Sequence, residues 1–447
     1  MGALSARPAA GRTRFLARLG LDRPELRAWA LYDWANSVFM TTVLQIFPIF
    51  FTKVVAADLP PPVAGARFAL STSLAVTIVA LVSPVLGAVA DQAGRKKALL
   101  GLFLAIGASA TAALALIERG DWLLALLLFV LGNVGASGSI VFCNSLLPHI
   151  ARNDEVDRVS TAGFALGYVS GGLLLAINLL WLTRPALFGI PNDVAAIHLS
   201  FLSAGLWWIV FSWPVLRRVR EPPARTGDDG ESVLAVIGSR LAETIRYFRG
   251  HPDALWLLVA FFLYNDGINT IIRMGTLYGT EIGIGRSALI GAVLMVQFVG
   301  VPCAFLFGAM ADRLGTKRAL YLALGVYVAI SVVGYRMRTA RDFFVMAFLV
   351  GTVMGGAQAL GRSLFARMVP RHKSAEMFGF FGVFDKFGGV MGSALFALTL
   401  TLTGSSRPAI LALIVLFAAG AAFLSVVDVE RGEHAARTAE AGSAGNV

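Results

Sequence analysis

Long apolar blocks alternate with short polar connections along the whole of this 447-residue chain. Twelve blocks approach or exceed the ~20 residues that a helix needs to cross a bilayer. They run 28–51, 68–90, 98–117, 122–147, 162–182 and 194–216, then 254–276, 288–310, 319–334, 343–365, 377–401 and 409–427. Helices are expected because an open sheet would leave backbone groups unpaired in hydrocarbon. The unbroken apolar character also excludes the alternating pattern of a membrane barrel. The pattern predicts an all-α integral membrane protein of two six-helix halves, residues 28–216 and 254–427. A segment 1–27, a connection 217–253 and a tail 428–447 lie outside them. Within the connection, 232–248 has helical spacing suited to a membrane surface, and the small, polar tail after Glu430 is expected to be disordered.

Composition agrees: 57% of residues are hydrophobic and 15% charged, more apolar surface than a soluble domain of this length can hide. The excess of 38 Lys+Arg over 27 Asp+Glu would suggest nucleic acid in a soluble protein. Here the basic residues lie between the apolar blocks, so a bilayer, not a nucleic acid, is the expected partner. With the N-terminus cytoplasmic, 26 basic residues fall inside and nine outside, while Arg273, Arg362 and Lys386 lie within spans. That bias places both termini in the cytoplasm. The first 27 residues hold six arginines and no cleavable apolar core, so the first block is read as a retained helix. Abundant arginine, alanine and glycine hint at a GC-rich bacterial genome, hence a cell inner membrane. The two cysteines, Cys143 and Cys303, both fall inside apolar blocks. Neither a disulfide nor a metal or cofactor site is expected.

Two stretches repeat. Gly87-Ala88-Val89-Ala90-Asp91-Gln92-Ala93-Gly94-Arg95-Lys96-Lys97 follows the second span, and a pattern of the same form, with Gly308, Asp312, Gly315, Lys317 and Arg318, follows the eighth. Recurrence at the same place in each half points to duplication. Asp33, Asn36 and Ser37 of the first span are echoed by Asp266, Asn269 and Thr270 of the seventh. A turn with glycine, aspartate, glycine and a basic cluster resembles the signature loop of the major facilitator superfamily. Within it, Tyr32-Asp33-Trp34-Ala35-Asn36-Ser37 is similar to a hallmark of the vacuole-effluxer family, related to the autophagy-associated amino-acid effluxers of fungi. So are Gly356, Gln358, Gly361, Arg362, Ser363, Arg367 and Pro370, with Phe378-Gly379 after them. Gly361 stands where that family is expected to have serine, and Val38-Phe39 replace alanine and tyrosine; neither departure removes a charge.

The resemblance implies secondary transport of a small solute by alternating access, amino-acid efflux among the possibilities, with the duplicated loops latching one conformation. It implies no cofactor; an ion gradient, of protons first, is the expected energy source, and a monomer the expected state. In physical terms Gly94 and Gly315 ease a sharp turn. Asp91 and Asp312 suit a helix start. Arg95, Lys96 and Lys97 suit carboxylates or lipid phosphates. Plain positive-inside topology is the competing reading.

An ionisable residue in mid-span costs roughly 2.5–3.5 kcal/mol, so each needs a reason. Asp266, Asn269, Thr270 and Arg273 share one helical face by their spacing and are candidates for the substrate or proton path. Asp33, Asn36, Arg362 and Lys386 are the others, with Gln358 and Asp385 one turn or one residue from them. Asp266 with Arg273 would suit a zwitterion, or would form a buried pair that only sets helix rotation. Arg362 could instead snorkel to the surface, and Asp33 could be a helix–helix latch. Gly163, Gly167, Gly171, Gly351 and Gly355 read as close helix packing. Asn144, Gln297 and Gln45 receive no role. A lipid or lysolipid flippase is the alternative within the fold. An enzyme and an ATP-driven pump lack their motifs, and a sensor or scaffold would need a signalling domain larger than the connection allows.

Overall fold

The computed structural model describes residues 15–224 and 243–444. Among them are twelve helices long and apolar enough to cross a membrane. They are α1 Pro24–Val55, α2 Pro61–Ala93, α3 Lys96–Leu116, α4 Trp122–Ile150, α5 Val156–Thr183 and α6 Asp193–Arg218. The second set is α7 Pro252–Glu281, α8 Ala288–Leu314, α9 Thr316–Arg336, α10 Ala340–Arg367, α11 Arg371–Thr403 and α12 Ser406–Val426. Most run beyond the apolar blocks because polar residues at their ends satisfy backbone groups that hydrocarbon could not. Asn192 accepts the Ala195 amide at 2.8 Å to start α6, and Thr339 with Asp342 forms a capping box at the start of α10.

Two spans depart furthest from regular helix, beside a short break at Leu413 in α12 and a 3-10 turn at Leu114–Leu116 ending α3. In α1, π-helical turns at Phe39–Val43 and Phe51–Val55 flank a segment holding Pro48; proline removes a helical donor and crowds the preceding turn, and wider turns absorb the mismatch. The eleventh block, expected as one continuous helix, is broken. It consists of Ser374–Phe387 and Val390–Thr403, separated by Gly388 and by Gly389 at φ 95°, a backbone angle that favours glycine.

An even number of crossings puts the N-terminal end, the C-terminal end and the connection between α6 and α7 on one side, here the terminal face. Helices α1–α6 and α7–α12 form the two halves. They meet where α2 packs on the first segment of α11 and α5 packs on α8 and α10. Small residues permit this: a Cβ on Gly87 would lie 2.7 Å from the Ala375 carbonyl carbon. The stripe Gly163, Gly167 and Gly171 faces Asp33, Ser37 and Thr41 of α1, so close packing is what it provides.

The tail corrects an expectation. Residues Val429–Ala444 form a helix, α13, docked on the terminal face. Arg431 pairs with Asp253 of α7, Glu433 with Arg367 of α10, and Glu440 with Arg371. Its alanine, glutamate and arginine content favours helix, and these partners give it a fixed seat. Of the expected surface helix, residues 232–242 lie outside the described residues; 243–248 are helical, and Glu243 pairs with Lys373 at 2.7 Å.

Candidate functional site

The polar stripe of α7 is built around the break in α11. Asp266 is fully buried, and its carboxylate accepts the amides of Met391 at 3.0 Å and Gly392 at 2.5 Å. These belong to the first turn of the second α11 segment, where helical amides have no partner of their own and the helix dipole favours an anion. The buried Asp266–Arg273 pair, one of the two readings of this stripe, therefore does not form. The carboxylate is held by an interrupted helix that the apolar pattern did not show. Arg273 lies instead beside Gly389, its guanidinium carbon 3.2 Å from where a Cβ there would sit. It is exposed, and no carboxylate pairs with it among the described residues.

Around the same break stands an amide relay that the sequence reading missed. Gln358 Nε2 donates to Asn265 Oδ1 at 3.0 Å, and Asn265 Nδ2 donates to Asp385 Oδ1 at 3.1 Å. Lys386 Nζ is 3.7 Å from Asp385 Oδ2. Asn269 faces Gly388, and the buried Thr270 hydroxyl has no hydrogen-bond partner among the described residues. The Gly388-Gly389 dipeptide inside a span was the available signal, since paired glycines mark interruptions.

Arg362 does not snorkel. It is 3% exposed and reaches from α10 into the other half. Its two terminal nitrogens bond the Asp33 carboxylate at 3.3 and 2.9 Å. Further bonds run to Asn144 Oδ1 at 3.1 Å, Ser160 Oγ at 2.9 Å and the Ser160 carbonyl at 2.9 Å. The Trp29 and Phe164 rings flank it at 4.7 and 4.5 Å. Asn144, given no role from sequence because an uncharged amide is cheap to bury, is thus one of its acceptors. Asn36 stays within its own half, donating to the Ala136 carbonyl at 3.4 Å. The repeated aspartates are used differently: Asp33 takes an arginine from across the molecule, and Asp266 caps a helix in its own half.

The duplicated loops also reach across. Asp91 accepts the Ala375 and Glu376 amides at 3.2 and 2.9 Å, at the start of the first α11 segment, and pairs with Lys96 at 2.7 Å. Lys96 is almost fully buried and also bonds Ser374 Oγ at 2.7 Å and His149 Nε2 at 2.8 Å. In the second copy Asp312 pairs with Arg158 of α5 at 2.5 Å. Next to it, Thr316 donates to Asp157 at 2.6 Å, and Asp157 also accepts from Ser363. Lys317 instead caps the end of α12, donating to the Ser425 and Val427 carbonyls. Arg95 and Arg318 remain on the surface. Gly94 and Gly315 have φ of 59° and 85°, and Gly308 lies against Thr161 of α5. Asp157, Arg158, Ser160 and Ser374 were not singled out from sequence, since their partners lie more than 150 residues away.

This architecture is that of a multi-pass transporter of the major facilitator superfamily. The proton:xylose symporter XylE bound to 6-bromo-6-deoxy-D-glucose superposes over 94% of this chain and 97% of its own (TM-score 0.68, 13% identity). The Escherichia coli fucose:proton symporter FucP does so over 91% and 98% (TM-score 0.67, 13% identity). The chain belongs to the family described as "Vacuole effluxer Atg22 like", whose model matches residues 64–437. It is 36% identical to the uncharacterized MFS-type transporter YxiO of Bacillus subtilis, over 90% of this chain and 94% of that one. Autophagy-related protein 22-1 of Penicillium rubens is 23% identical, over 92% and 91%. Transport by an Atg22-like effluxer, rather than enzymatic turnover, is therefore its activity.

Proposed function

We propose that the protein is a secondary transporter of the inner membrane that works by alternating access, with the terminal face in the cytoplasm. The observation that carries this reading is where the halves are joined. Asp33–Arg362, Asp91 with the start of α11, and Asp312–Arg158 all cross between halves on the terminal side. Towards the opposite face the second α11 segment makes no comparable contact with α2. A carrier closed to the cytoplasm and parted on the other side has this distribution.

The solute is a small polar or amphipathic molecule, and an amino acid is the first class to test, as the autophagy-related relatives suggest. Unpaired Arg273, together with Asp385, Lys386 and Asn269 at the α11 break, offers opposite charges within one span pair, as a zwitterion would require. Protons are the coupling ion in this reading, and the monomer is the working unit. The test uses purified protein in proteoliposomes with an imposed pH gradient and a panel of radiolabelled amino acids. Gradient-dependent exchange of at least one amino acid is expected, and it should vanish with Arg273→Ala. Absence of exchange for the whole panel, with thermal stabilisation by lysolipids alone, would replace this reading with lipid translocation.

A further inference from the structure

We propose that a pocket between α9 and α12, on the face opposite the termini, binds the phosphate of an anionic phospholipid headgroup. The cavity has a volume of about 440 Å³ and is lined by Tyr335, Arg336, Arg338 and Arg407. None of the three guanidinium groups has a carboxylate partner among the described residues. The nearby carboxylates are committed: Asp342 accepts the amides of Arg338 and Thr339 and the Thr339 hydroxyl, and Glu281 accepts from Ser406. Arg407 donates to the Met337 carbonyl at 3.4 Å, which holds it over the connection between α9 and α10. Guanidinium forks match phosphate oxygens in pairs.

The position makes the cluster meaningful. This face carries nine basic residues against 26 on the other, and three of the nine meet in one pocket. The duplicated fold supplies an internal control. The corresponding groove between α3 and α6, about 560 Å³, is lined by alanines and leucines with His198, whose ring bonds the Ile117 carbonyl at 2.9 Å. The arginines are therefore no requirement of the fold.

Below the pocket an apolar track faces lipid along α9. Leu322, Gly325, Ala329 and Val332 are exposed at helical spacing, nothing fills the space beside Gly325, and Tyr335 stands at the top. A charged head above an apolar track has the shape of a phospholipid, whereas free phosphate would use the head alone. Arginines near a membrane surface each contribute roughly a fivefold factor to anionic-lipid binding.

The test uses the full-length protein in detergent with added phosphatidylglycerol or phosphatidylcholine, bound lipid being counted by native mass spectrometry and unfolding followed by heating. Wild type should retain phosphatidylglycerol in preference and melt at a higher temperature with it. The triple variant Arg336→Gln, Arg338→Gln, Arg407→Gln should lose roughly a hundredfold in apparent affinity, with phosphatidylcholine unaffected. The single variants at Arg336 and Arg338, which hold no structural bond, should each lose roughly fivefold and decide the matter if the triple variant does not fold. Equal retention of the two lipids by wild type, or unchanged retention in the variants, overturns the site. Displacement of the lipid by millimolar inorganic phosphate, or the same melting shift from phosphate alone, overturns the lipid assignment in favour of a soluble anion.

Discussion

Replacing Arg362 with methionine removes five hydrogen bonds and leaves the Asp33 carboxylate, 7% exposed, without its cation. Stranding one member of a buried pair costs about 3–5 kcal/mol. That cost falls on the closed arrangement, because opening the terminal face lets water reach Asp33. The equilibrium between the two should therefore shift towards opening by roughly a hundredfold to several thousandfold. Cys143 is a native reporter: it is fully buried, and its carbonyl accepts the Trp29 indole N–H at 2.7 Å, beside the Arg362 cluster. In a Cys303→Ser background, maleimide labelling of Cys143 from the terminal face should accelerate at least tenfold in the Arg362→Met variant. Replacing both charges, Asp33→Leu with Arg362→Met, should return labelling towards the slow rate. Wild-type labelling in the single variant would refute the latch, and equally fast labelling in single and double variants would assign closure to packing rather than charge.

Asp266→Ala should lower thermal stability by about 1.5–3 kcal/mol, the worth of charge-assisted bonds to a helix start, whereas Arg273→Ala should leave melting almost unchanged. Differential scanning fluorimetry separates the two, and equal losses would restore the pairing of these residues. Asp91→Asn should impair flux more than Asp312→Asn, because Asp91 holds two amides and a buried lysine while Asp312 is about a quarter exposed with one arginine; reversed severity in proteoliposome assays would contradict this order. Truncation after Asp428 should cost more than the roughly 1 kcal/mol of an exposed ion pair, because it takes Arg431 from the buried Asp253 carboxylate, and a loss of membrane insertion would show that α13 does more. A cysteine at Gly227 should react only from the cytoplasm, and labelling of intact cells by an impermeant reagent would invert the proposed orientation.

Span number and most span positions were legible because burial in lipid demands long uninterrupted apolar runs. The duplicated loops were legible because repetition is a property of the string itself. What escaped detection depends on contacts between distant residues. Asp33 and Arg362 were both suspected, yet 329 positions separate them, and helical spacing describes neighbours only. Asp266 and Arg273 share a face and looked like partners; the nearer claim on Asp266 came from backbone amides, which carry no side-chain signature. The fate of the tail turned on tertiary ion pairs, because a polar alanine-rich segment is as compatible with solvent as with a docked helix.

α11 is moored at two points to different bodies. Its first turn is held by Asp91 of one half, and the turn after its break by Asp266 of the other. Were the halves to separate on the terminal face, the Ala375 and Glu376 amides would lose the Asp91 carboxylate that accepts them both, and the opening turn of the first segment would fray or recruit water. The second segment keeps its mooring and travels with α7. On the proposed alternating-access cycle the motion would then not be a simple rocking of two rigid blocks, because one of the twelve spans would bend at its glycine joint. An alanine at Gly389, strained at φ 95° and set against the Arg273 guanidinium, would stiffen that joint and slow turnover.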